Sequence, residues 1–383
     1  MKARFSDYLN SLVPGLRKLI DILSKDYDYV SILSTDSKGL AVAISQHSKS
    51  VSNQTMTTER GTVVRVYKDK LYSEYALNEF DPAAPEAAAT EITAAMEAQF
   101  AVLKASSTAV YETEMLPDEP LELFVEKETE QLPEDCKLSD IVEMLSAISA
   151  KGMTMSEYML DCMARAQSTH ICKLFLTKNR YLRQSYVYSE GMVAAIVGKD
   201  GQNKFGYKSI SGLGGPELFS ELEKKLQPAF NNAMDMLSAD RIVPGEYEII
   251  TSPEITGLIA HEAFGHGVEM DMFVKGRALG ADYIGKRVGS DIVTMHEGAL
   301  CAENVTSFEF DDEGTLAGDV TEIDHGILKA GICDALSALR VAARILPADD
   351  DAVATCDTDD DGRVTVGDAL AILRVAAKLV DSF

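Results

Sequence analysis

Two imidazoles and a carboxylate fall within six residues at His261-Glu262-Ala263-Phe264-Gly265-His266, and Glu269 and Asp271 follow closely. Neutral imidazoles hold divalent transition metals through a ring nitrogen, and a glutamate beside such an ion can serve as a general base. The spacing is unusual. Zinc peptidases of the HExxH kind set their histidines four apart on one helical face. Five residues on a helix of 3.6 residues per turn separate side chains by roughly 140°. Both rings can meet one cation only if the helix widens into a π-turn or stops there. Gly265 and Gly267 permit either. Glu269 and Asp271 could orient an imidazole from behind, and they equally suit exposed acids at a helix end.

The flanking sequence shows what must position the motif. Tyr247-Glu248-Ile249-Ile250-Thr251 has strand chemistry. Ser252-Pro253-Glu254 then supplies a capping hydroxyl, a proline for the first helical position and an early acid. Ile255, Leu258 and Ile259 step at helical spacing into the histidines. Upstream, Leu9, Leu12, Val13, Leu16, Leu19, Ile20 and Leu23 form one helical stripe over residues 5–25, with Pro14 as a bend or a start. Residues 29–33 and 40–44 read as strands around a turn at 36–39, and 61–67 with 71–75 as a hairpin around 68–70. An Ala- and Glu-rich helix is expected over 84–106, then a Pro- and Glu-rich connector at about 112–134. Helical patterns follow at 137–151 and at 154–166, the second holding Cys162. Strands are expected at 171–177, 186–189 and 192–197, a turn at 198–201, and a glycine-rich turn at 212–216 before a helix over 217–237. His47, His170, Cys162 and Cys172 read as structural residues.

The fold class expected is α+β. A mixed strand and helix domain (1–118) precedes a central α+β unit (119–228), a mainly β domain carrying the metal-motif helix (229–333) and a small helical tail (334–383).

Val243-Pro244-Gly245-Glu246-Tyr247, the HEAFGHGVEMD core, Val274-Lys275-Gly276-Arg277 and Phe310-Asp311-Asp312-Glu313-Gly314 together resemble the TldD/PmbA metallopeptidases, in their TldD form. The resemblance runs from about residue 1 to about residue 340. It implies that His261 and His266 bind zinc and that Glu262 is the catalytic acid and base. It further implies small or unfolded peptides as substrates, cut in a closed cavity between subunits, and either a homodimer or a heterodimer with a PmbA-type subunit. The family's third metal ligand is a cysteine in a later C-terminal segment, and the chain stops resembling the family before that segment. Cys301 is the next thiol after the histidines, and it is a substitute ligand or a buried structural thiol. Tyr283, Arg277 and His296 are polar groups that could line the cleft. Two functional readings follow: a zinc peptidase, or a catalytically incomplete subunit with a binding or structural role, since catalytic zinc ordinarily takes three protein ligands.

Composition narrows the partners. A net charge of −25 opposes nucleic acid and anionic membranes, because phosphates would be repelled. No apolar run reaches membrane-spanning length, and the first residues lack the apolar core of an export signal. The six cysteines form no CxxC pair, which fits a reducing cytoplasm.

The tail has its own chemistry. In Cys356-Asp357-Thr358-Asp359-Asp360-Asp361-Gly362-Arg363-Val364-Thr365-Val366-Gly367-Asp368, acids stand at loop positions 1, 3, 5 and 12 with glycine at 6. Asp357, Asp359, Asp361 and Asp368, with the Arg363 carbonyl, would hold calcium. Asp334-Ala335-Leu336 and the residues after it recur from Asp368-Ala369-Leu370. The pair resembles a type I dockerin, which implies a cohesin partner. A dockerin-bearing protein docked to a scaffold is thus a third reading.

Overall fold

The computed structural model describes residues 1–105, 115, 116, 118–269, 272, 277–304 and 307–329. They belong to two compact units: residues 1–240 with 302–317, and residues 241–301 with the chain from 318 onward.

The first unit is built on one eight-stranded sheet. Its elements in chain order are α1 (Asp7–Leu23), β1 (Tyr29–Ile44), β2 (Lys49–Ser52), β3 (Arg60–Lys68), β4 (Leu71–Leu77), α2 (Pro85–Ala105), β5 (Leu121–Glu126), α3 (Leu138–Met153), β6 (Met159–Leu176), β7 (Arg180–Lys199), β8 (Gln202–Leu213) and α4 (Leu222–Ser238). The strand path is β4-β3-β1-β6-β7-β5, with β2 beside β1 and β8 beside β7. Neighbours are antiparallel except β5, which lies parallel to β7. The chain is thus a mixed α+β protein with a large, mostly antiparallel sheet. Strands from 29–77 and from 121–213 share that sheet, so the sequence boundary at residue 118 does not divide it.

Three expectations from sequence are corrected here. The turn at 36–39 lies inside one continuous strand, β1. Asp36 is buried there because Ser6 Oγ donates to it at 2.5 Å and the Arg60 guanidinium meets it at 2.8 Å. Ser37 Oγ donates to the carbonyls of Thr57 and Glu59. Turn-forming side chains thus find distant partners in place of local ones. The expected second helix over 154–166 is instead the start of β6, held between β1 and β7, where Cys162, Ala164 and Ala166 face one apolar cluster. Tertiary pairing overrides the helical preference of Met and Ala. Residues 247–251 form no strand, and Ile249 and Ile250 are exposed.

Other elements match their patterns. α1 begins at Asp7, capped by Ser6 Oγ accepting from the Leu9 amide at 3.2 Å, and runs through Pro14. The β3–β4 hairpin turns on Asp69 and Lys70, both at positive φ, and β7–β8 on Asp200 and Gly201, likewise.

One face of the sheet carries two apolar clusters. α1 and α2 cover Val30, Ile32, Leu174 and Leu176. Farther along the same strands, α3 and α4 cover Leu40, Val42, Ile44, Ala164 and Ala166. Between the clusters runs a polar seam, in which Asp36 pairs in register with Cys172 and that with Ser185, while Lys38 pairs with His170. On the opposite face, Phe175 and Leu182 are covered by Phe310 from the returning segment. The Gln184 side-chain amide holds that segment, donating to the Phe310 carbonyl at 2.7 Å and accepting from the Glu309 amide at 2.8 Å.

Gly15 of α1 marks a close approach of helix to backbone: a Cβ there would fall 2.5 Å from Pro82 Cα and 2.6 Å from its carbonyl oxygen. Alanine gains about 1 kcal/mol in helix propensity, but forcing it against a backbone costs about 1–3 kcal/mol. Gly15→Ala should therefore lower the denaturation midpoint in urea, with a net loss of up to about 2 kcal/mol.

Candidate metal centre

In the second unit, α5 (Pro253–Ala263) starts as its sequence dictates, with Ser252 Oγ accepting from the Ile255 amide. It ends where the histidine spacing requires an ending. Phe264 leaves helical geometry, and Gly265–Gly267 forms a single 3-10 turn that carries His266 back toward His261. Of the two ways to bring five-apart histidines together, this chain uses the helix stop. The ring centroids lie 4.6 Å apart.

Ligand atoms of His261, Glu262 and His266 all fall within 4.8 Å of one another, and this is the convergent His/Cys/Asp/Glu group found among the described residues. His266 Nδ1 meets Glu269 Oε1 at 2.8 Å, and its Nε2 lies 3.8 Å from Glu262 Oε2. A proton held on Nδ1 by Glu269 leaves the Nε2 lone pair outward, the tautomer a metal ligand needs. The Glu269 hydrogen bond raises the His266 pKa above its ordinary value. Asp271, the other candidate to orient a ring, lies outside the described residues, as do Asp357, Asp359, Asp361, Arg363 and Asp368 of the tail.

A small sheet of β9 (Met295–Glu297), β10 (Val320–Asp324) and β11 (Ile327–Leu328), in the order β11-β10-β9, lies beside the motif. With α5 it bounds a cleft of about 610 Å³ into which His261, His266, Glu269, His296, Cys301 and Glu322 open. His296 thus lines the cleft, while Tyr283 and Arg277 are not among its walls. Cys301 is exposed and borders the cleft, but is not one of the three convergent residues.

Sequence reasoning passed over Glu322. Its Oε2 is buried and has no hydrogen-bond partner among the described residues. Burial, with the nearby Glu297 carboxylate adding to it, pushes its pKa up to about 7. A lone glutamate in a short strand gives no signal by type or spacing; only the fold brings it to this wall.

Residues 244–344 match the model of the PmbA/TldA metallopeptidase C-terminal domain. A metalloprotease of Methanocaldococcus jannaschii is 29% identical over 150 residues, 39% of this chain and 33% of that protein. A zinc metalloprotease TldD homolog of Saccharolobus solfataricus is 33% identical over 119 residues, 31% of this chain and 25% of its own. The chain spans about a third or less of the length of these two relatives. Among solved structures, a Bacteroides thetaiotaomicron protein described as a candidate modulator of DNA gyrase superposes with a TM-score of 0.66 at 13% identity, covering 85% of this chain and 71% of that one. TldE from Thermococcus kodakarensis gives 0.62 at 16% identity, covering 82% and 69%. These likenesses establish a shared PmbA/TldD-like fold. Among the described residues, no helix is long and apolar enough to cross a membrane.

Proposed function

We propose that this chain is a zinc-dependent peptidase of the TldD type acting on small or unfolded peptides. The observation that carries this reading is the convergence of His261, Glu262 and His266 at a helix stop, with the two histidines lining the cleft and Glu262 beside them but outside its walls. Two imidazoles and a neighbouring carboxylate suit zinc, which takes nitrogen ligands readily. His261 and His266 would hold the ion, which when bound supplies Lewis-acid polarisation of the scissile carbonyl. Glu262 accepts a proton from the attacking water and returns it to the leaving amine. Glu269 keeps the His266 ring turned for its task. A peptide in the cleft would have residues of β9 and β10 beside its backbone.

A second reading has its own support. The convergent group offers only two histidines once Glu262 is kept as the base, one fewer protein ligand than catalytic zinc sites use. The chain would then be an incomplete subunit working with a PmbA-type partner; the peptidase reading accommodates a homodimer or that heterodimer. Zinc content separates the two. The peptidase reading expects about one zinc per chain in wild type and near none in His266→Ala, measured by metal analysis after gel filtration. Zinc-free wild type protein that cannot be loaded would favour the inert subunit.

For the tail we propose a single calcium site at Asp357, Asp359, Asp361, the Arg363 carbonyl and Asp368, with cohesin as the partner this chemistry suits. A cytoplasmic location is proposed from the cysteine pattern. Calcium titration of the full chain that gives no binding heat would dismiss the tail site.

A further inference from the structure

The polar seam of the first unit holds a second constellation, made of residues that the sequence presents as structural. His170 Nε2 lies 2.8 Å from Ser185 Oγ and 3.5 Å from Cys172 Sγ, and the Ser185 hydroxyl is itself 3.3 Å from that sulfur. The far nitrogen of the same ring, Nδ1, meets Glu134 Oε1 at 3.0 Å. A thiol, an imidazole and a carboxylate are thus hydrogen-bonded in series, the arrangement by which a positioned base activates a nucleophile. Their placement follows from register. His170 and Cys172 are two apart on β6 and share a face, while Glu134 comes from the 3-10 turn Pro133–Asp135.

The series does not end in packed core. A cleft of about 310 Å³ opens over it, walled by the start of α1 and by β1, β3 and β6, with Cys172, His170 and Glu134 in its lining. The charged groups around it are largely matched: Arg4 with Asp135 at 3.0 Å, Arg60 with Asp36 at 2.8 Å, and Lys38 with Glu134 at 3.5 Å. Asp7 is the remaining acid in the wall. Balanced charge favours an uncharged visitor over an ion. Burial alone would strip the proton from His170, yet the Cys172 sulfur and the Glu134 carboxylate outweigh it and raise the imidazole to about 9. Cys162 differs: burial, with the Asp161 charge adding to it, pushes that thiol up to about 11.

We propose that Cys172 is a nucleophilic thiol served by His170 and Glu134, and that the cleft over it admits small hydroperoxides. In the step, the Cys172 sulfur, as thiolate, attacks one oxygen of hydrogen peroxide. The S–O bond forms, the O–O bond breaks, and the departing hydroxide takes the proton from His170 Nε2 to leave as water. Sulfur is oxidised by two electrons to the sulfenic acid, peroxide is reduced by the same two, and the imidazole is left neutral. Among the described residues no other cysteine lines the cleft, so none of these thiols is placed to condense with the sulfenic acid. It should persist long enough to trap.

The test treats the full folded chain with hydrogen peroxide, then dimedone, and maps adducts by peptide mass. Cys172 should be labelled at neutral pH while Cys162 is not, and His170→Gln should slow labelling at least about tenfold. Alkylation by iodoacetamide supplies a readout that mere packing would not move. The pH profile of Cys172 alkylation should move in Glu134→Gln, while that of exposed Cys301 should not. Should His170→Gln fail to fold, Glu134→Gln carries the test, since its carboxylate is partly exposed. Labelling of Cys172 only after denaturation, or a profile unchanged in either variant, overturns the proposal.

Discussion

Glu262→Gln should lower peptide turnover by about 10²–10⁴-fold, the usual worth of a positioned general base, while leaving zinc bound. The amide is nearly isosteric with the carboxylate but cannot take a proton from water. The contact between the two imidazoles, with centroids 4.6 Å apart, arises from the stop of α5 at Ala263 and the turn at Gly265–Gly267. Neither depends on Glu262, whose side chain is exposed. Turnover and metal content should therefore separate in this variant and fall together in His266→Ala. Turnover should be followed with short fluorogenic peptides on zinc-loaded protein, and metal by elemental analysis. Equal loss of both in Glu262→Gln would make the carboxylate a ligand instead of a base. Unchanged turnover would end the peptidase reading.

A second large effect is expected on stability, through His170. Its folded pKa of about 9 stands above the 6.5 of an unfolded imidazole, because Cys172 and Glu134 overcome the cost of burial. A group whose pKa is raised by folding contributes in full below its unfolded value and loses that contribution as pH climbs through the folded one. At about 1.4 kcal/mol per pH unit the difference is worth about 3 kcal/mol. The contribution should be complete below pH 6.5 and gone above about 9. Glu134 is depressed to about 2: although burial opposes this, the His170 hydrogen bond and charge prevail. Its side of the pair is present above pH 4.5 and lost as pH falls toward 2. Both shifts describe one interaction and do not add. Urea denaturation of wild type and His170→Gln at pH 5.5 and 9.5 checks this: the gap between them should shrink by about 3 kcal/mol at the higher pH. A gap independent of pH would mean that the ring is buried neutral.

Much of this was readable from the chain. The stripe of α1, the Ser252 cap of α5 and the two hairpin turns depend on neighbours within a few residues, and local chemistry decides them. The histidine spacing was readable too, since it left only a widened or terminated helix, and the glycines beside His266 allowed the termination seen. Errors gathered where the deciding partner is remote in sequence. Asp36 and Ser37 look like a turn until Ser6, Arg60, Thr57 and Glu59 are brought to them across the sheet. Residues 159–166 carry helix formers, yet long flanking strands on both sides claim their amides. His170 stands alone in the sequence, and the partners that give it chemistry come from residues 134 and 185. Glu322 reaches the metal cleft only through the pairing of β10 with β9.

The segment at 302–317 has a bearing on how the molecule is made. Phe310, which closes over Phe175 and Leu182, is reached by the ribosome only after the whole metal-motif helix has been synthesised. Domains ordinarily fold as units in the order they emerge. Here the patch at Phe175 and Leu182 lacks its cover until a piece arrives more than sixty residues after α4 ends at Ser238. That interval leaves Phe175 and Leu182 open to chaperones or to the same surface on a neighbouring nascent chain.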